Sequence, residues 1–172
     1  MPAQLLRRHW WLIPEVAAVV VLLALVLTDV GGPGRIRAEA GQRAAALLEQ
    51  ASPAQHHDHG HEVGADDRVY CGVDVFGLEP PGARRIEDVR TVYGYYFCAV
   101  GRDGLPYLDS YRADGPIVVQ FSPASIQIAP PGPGYRDHVM SMMPDQYEDR
   151  CFQGLPDPGV AESVKRRYES SL

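Results

Sequence analysis

The stretch WWLIPEVAAVVVLLALVLTDV, Trp10 to Val30, limits this chain more than any other. Val16 to Leu27 is an unbroken apolar run of twelve residues, and Glu15 is the only charge before Asp29. A helix from Trp11 to Val30 would be about 30 Å long, the thickness of a bilayer's hydrocarbon core. Trp10 and Trp11 suit the headgroup boundary, where an amphipathic ring is stable. Pro14 falls in the first turn, where its missing N–H costs little, and Glu15 lies within reach of water. The expectation is a transmembrane helix over residues 10–30.

Arg7 and Arg8 precede the run with no acid beside them, so the positive-inside rule leaves residues 1–9 as a cytoplasmic stub. The remainder is then extracellular, on a cell membrane crossed once. A cleaved signal peptide is the alternative. Val30 and Gly32 would serve at the cleavage positions, but Pro33 follows and blocks cutting. No lipobox cysteine is present.

Arg7, Arg8, Glu15 and Asp29 aside, 14 basic and 20 acidic residues remain, so the exposed part carries a net charge of −6. An acidic surface repels phosphate backbones, and nucleic acid is not an expected partner. The expected partners are the lipid bilayer and another membrane or cell-surface protein. The oligomeric state is left open.

An oxidising exterior favours one disulfide among Cys71, Cys98 and Cys151, with one thiol left over. Three pairings exist, and sequence alone does not choose. Cys71–Cys98 is preferred, because both lie in strand-like segments that could be neighbours. Cys151 falls in a helical stretch and reads as a small buried hydrophobe.

After the break GGPG, residues 31–50 read as an alanine-rich juxtamembrane helical stalk. Gly41 weakens that helix. Residues 51–67, SPAQHHDHGHEVGADD within them, lack apolar periodicity and read as a His-rich flexible linker. From residue 68 to residue 172 the pattern is that of an extracytoplasmic domain.

In RVYCGVDVFGL, Val69, Cys71, Val73 and Val75 alternate with Tyr70, Asp74 and Phe76, as in a half-buried strand. EDVRTVYGYYFCAVG is a second strand, and Gly94 within it marks a bulge or a close backbone approach. A short strand is expected near Tyr107 to Tyr111. PIVVQF and SIQIA form a hairpin. Three helices follow: one with Tyr135, Val139 and Met142 on one side, one starting near Pro144, and one N-capped by Asp157 with Pro158 in its first turn. Strands before helices imply an α+β class: a small antiparallel sheet of four or five strands, covered on one face by the C-terminal helices.

The motifs VYCGVDVFG, EDVRTVYGYYFCAV, GPIVVQF and GPGYRDHVMSMMPDQY resemble those of uncharacterised actinobacterial single-pass membrane proteins. The likeness covers most of residues 10–168. It implies a short stub, one membrane helix, a His-rich linker and a small outer domain. It also implies a cysteine pair at Cys71 and Cys98. It carries no activity and no catalytic residues, and Cys151 matches nothing in it.

The tract HHDHGHE offers four imidazoles, His56, His57, His59 and His61, as candidate ligands for zinc, copper or nickel. Ordering a flexible tract costs on the order of 1 kcal/mol per residue, so weak, exchangeable binding is the expectation. The second histidine of a zincin motif is missing. Imidazoles near pH 6.5 also make the tract pH-responsive. No G-x-S-x-G elbow or S-x-x-K motif is present, PGPGY lacks the N–H donors of a phosphate cradle, and no cofactor is implied. His138 reads as a helix-borne surface histidine. Tyr93, Tyr95, Tyr96, Tyr107 and Tyr111 read as cross-strand packing, with an exposed aromatic face as the alternative. The functional expectation is a non-enzymatic binding or interaction module with an unknown ligand. Metal handling or pH response through the linker is the alternative.

Overall fold

Alternating apolar residues, with turn-formers between the runs, produce four strands in an antiparallel meander. In the computed structural model these are β1 (Arg68–Glu79), β2 (Thr91–Gly101), β3 (Tyr111–Phe121) and β4 (Ala124–Ile128), in the order β1-β2-β3-β4. The described residues are 32–51, 53–58, 63–64, 66–155 and 157–171. The expected membrane helix, residues 10–30, lies outside them. Among the described residues no helix is long and apolar enough to cross a membrane. Residues from Ile36 onward form one compact unit.

The register explains the disulfide. Cys71 stands directly opposite Cys98. Their Cα atoms are 4.1 Å apart and the Sγ–Sγ bond is formed. Close approach of this kind is typical of a pair whose main-chain groups point away from each other. Cys151 is the free, buried cysteine. Farther along, the register slips between Val75 and Gly77, so Phe76 is an extra residue in β1. Gly94 lies opposite Val75. A Cβ at Gly94 would collide with the Asp74 carbonyl, so the bulge and the glycine require each other.

Both faces of the sheet are covered. The expected face from the C-terminal helices is there: α3 (Tyr135–Met142) and α4 (Asp145–Cys151) lie over Phe76, Tyr95 and Val118. Helix α5 (Pro158–Glu169) brings Val164 and Tyr168 onto Ala99 and Tyr107. Asp157 caps α5, its Oδ1 accepting from the Gly159 N–H at 2.8 Å.

The other face belongs to α1 (Pro33–Glu49), the segment expected as a stalk. Ile36, Ala40, Ala44 and Leu48 recur at helical spacing and are buried with Val92, Ile117 and Val119. Small residues let this helix approach closely: a Cβ on Gly41 would lie 2.7 Å from Val73 O. The same glycine that weakens the helix in isolation is what seats it. The result is a three-layer domain that takes in α1. The segment Pro53–Asp58, expected within a linker, forms the short helix α2.

Two strand expectations differ from the fold. The region near Tyr107 is a single helical turn, Tyr107–Asp109, and β3 begins only after it. Pro116 sits inside β3 instead of opening it. Its missing N–H faces away from β2, so the β2–β3 ladder loses nothing there.

Candidate functional site

A trough runs along the outer edge of β1, between α1 and α5. Two adjoining hollows of about 520 Å3 and about 590 Å3 make it up, and both are lined by Glu49 and Arg167. The first is walled by small residues, among them Gly41 and Ala45 of α1 and Ser163 of α5. The second continues past Val69 toward Asp67 and Ser171.

Elements far apart in sequence place the charged pair. Glu49 is the last residue of α1, and Arg167 lies in the last turn of α5. Arg167 Nη1 donates to Glu49 Oε1 at 2.8 Å. The same Oε1 accepts from the Cys71 N–H at 2.7 Å, and Arg167 Nη2 donates to the Cys71 carbonyl. The two side chains thus occupy the donor and acceptor positions that a neighbouring strand would fill. An edge strand needs such protection, because its free N–H and C=O groups template pairing with other chains. The pair remains accessible, with 44% of the Arg167 side chain and 26% of the Glu49 side chain exposed.

The surrounding charges are held firmly. The Arg102 guanidinium donates to both carboxylate oxygens of Asp67, at 2.9 Å each. With the Gly64 N–H also donating at 2.8 Å, these bonds hold the Asp67 carboxyl below the usual carboxylate range. On the face beneath α4, burial raises Asp74 above that range, while Arg150 pulls in the opposite direction. Burial, helped by Glu148, pushes the Cys151 thiol up to about 11, so it is a poor nucleophile at neutral pH.

Two of the four candidate histidines lie among the described residues. His56, on α2, is fully buried. His57 lies on the same short helix, and His59 and His61 lie outside the described residues. Among the described residues no group of three or more His, Cys, Asp or Glu side chains could hold a metal. His138 is exposed on α3.

The tyrosines divide. Tyr95, Tyr96 and Tyr107 are buried, and Tyr111 is 41% exposed. Tyr95 Oη donates to Asp114 Oδ2 at 2.8 Å. Burial first, then that carboxylate, raises the Tyr95 phenol well above its ordinary value.

Sequence reasoning missed Glu49 and Arg167. Each looks like an ordinary surface charge, and their joint role depends on α1 and α5 flanking one strand. The one available signal was Gly41, an unexplained glycine in an alanine-rich helix. No family model, no curated protein and no solved structure matches this chain.

Proposed function

We propose that this chain is a membrane-anchored extracytoplasmic binding module, and that its trough beside β1 receives a short extended peptide segment of a partner. The observation that carries the reading is the Glu49–Arg167 pair on the Cys71 main chain. An extended residue presents its own N–H and C=O on one side in the same arrangement, so a peptide can replace the pair. The freed carboxylate and guanidinium then hold the side chains that flank it. Alternate side chains of an extended segment point to opposite sides, one toward α1 and the next toward α5. The walls of Gly41, Ala45 and Ser163 admit small side chains and leave room for the backbone. The lining groups hold a ligand by hydrogen bonds and charge, which is the chemistry of recognition. The exterior location rests on the apolar run at 10–30, and a disulfide at Cys71–Cys98 is stable in an oxidising compartment.

The test is to pan a displayed heptapeptide library on intact cells that make the full chain. Cells making Ser163→Trp, which fills the trough, and Arg167→Glu serve as references, with surface amounts matched by antibody. A displayed library cannot enter cells, so enrichment also requires the domain to be outside. A shared motif enriched on the wild type and lost on both variants is expected. No enrichment, or equal enrichment on all three, overturns the proposal.

A further inference from the structure

The two edges of the sheet are treated differently. Glu49 and Arg167 cover β1 at Cys71, and the backbone of α1 closes on it at Val73. The opposite edge is covered only in part. β4 pairs with Ile117–Phe121, and among the described residues no strand lies beside Arg112–Pro116 on the side away from β2.

The register fixes which main-chain groups this leaves facing outward. The Cys71 N–H and C=O point away from β2, so those of its partner Cys98 point toward β3. Cys98 stands opposite Ala113, whose groups are therefore taken up by β2. Arg112 and Asp114, one residue to either side, direct theirs to the open edge. Both residues are exposed.

The sequence along that edge, Tyr111-Arg112-Ala113-Asp114-Gly115, is complementary to itself when reversed. Two copies laid antiparallel with Ala113 opposite Ala113 bring Arg112 of each against Asp114 of the other. These are outward-facing residues, so each pair also exchanges both main-chain hydrogen bonds. Arg112 and Asp114 project to one face of the sheet: Arg112 lies over the Tyr107 ring at 5.5 Å, and Asp114 accepts from Tyr95. Directly opposite residues share a face, so the guanidinium and the carboxylate meet across the junction. Tyr111 comes opposite Gly115, which has no Cβ to obstruct its ring.

We infer that β3 is a homodimerisation edge, where two copies of this chain join their sheets through Arg112–Asp114 about a twofold axis at Ala113. The interface is isologous, and the reciprocal charge pair sets its register. It is separate from the trough beside β1 and does not depend on the function proposed for that trough. Two outward main-chain pairs and two ion pairs form a small junction, so the association is weak and reversible.

The test is sedimentation equilibrium of the full chain in detergent across a wide concentration range. Arg112→Asp, Asp114→Arg and the double exchange carrying both are measured beside the wild type. Each single reversal sets like charges opposite each other at both pairs and should weaken self-association about tenfold or more. The double exchange restores opposite charges and should recover most of the wild-type association. Circular dichroism melts confirm that all four chains are folded; if a single variant is not, a neutral Arg112→Gln with Asp114→Asn replaces it. A wild type that stays monomeric throughout overturns the inference, as does a double exchange no better than the single reversals.

Discussion

Asp74 sits where its charge is disfavoured. It lies on the face of β1 beneath α4, and burial raises its carboxyl above the usual range despite Arg150 nearby. A raised carboxyl favours the protonated form in the folded chain. Its contribution is thus best at pH values below the unfolded value of about 3.9 and is lost as pH rises through the folded value. Asp74→Asn should therefore raise the melting temperature at pH 7 and leave it nearly unchanged at pH 3. Paired thermal melts at the two pH values check this; an equal effect at both would show that charge is not the cause. Other residues were legible in the sequence without any fold. Gly94 announced the bulge, and Asp157 with Pro158 announced the start of α5, because each acts through its own backbone. Glu49 and Arg167 act through a strand neither belongs to, and nothing local marks them.

Elements built from strong local patterns were also legible. β1, β2 and the hairpin to β4 follow their alternation, α3 follows its apolar spacing, α4 starts after Pro144, and α5 follows its Asp157 cap. α1 was recognised as a helix, but as a stalk it was given no packing partner within the domain. Its buried stripe is mostly alanine, and alanine gives a weak hydrophobic signal while allowing close approach. Gly41 measures that closeness. Gly41→Ala gains about 1 kcal/mol of helix propensity, yet forces a methyl to within 2.7 Å of the Val73 carbonyl. Overpacking of this kind costs about 1–3 kcal/mol, so a net loss of stability is expected, read as a lower urea midpoint with an unchanged slope. A rise in the midpoint would mean that α1 sits farther from β1 than described. α2 escaped notice because six residues are too few to show periodicity, and His56, buried within it, is a polar residue that hydropathy assigns to solvent.

At the scale of the whole molecule, the class and the antiparallel sheet were available from the sequence, while the third layer was not. The sheet could be inferred as covered on one face, but its second face needs α1, which precedes it by nearly twenty residues of polar sequence. A chain beginning at Arg68 would keep all four strands and the Cys71–Cys98 bond, which contributes about 3.5 kcal/mol on the chain-entropy account. It would nevertheless expose Val92, Ile117 and Val119, each fully buried in the complete domain. That truncated chain is expected to melt without a cooperative transition and to bind a hydrophobic dye, whereas a chain beginning at Gly32 melts cooperatively. A sharp melt from the Arg68 chain would mean that α1 is dispensable.

Helices α1 and α5 flank one strand although all four strands lie between them in sequence, and Tyr168, with no exposed surface, hydrogen-bonds the Leu105 carbonyl. A polypeptide leaving a ribosome or a translocation pore N-terminus first cannot close this architecture early. Helix α5 must emerge before α1 has its counterpart across β1. Until then the β1 edge at Cys71 has only half of its cover.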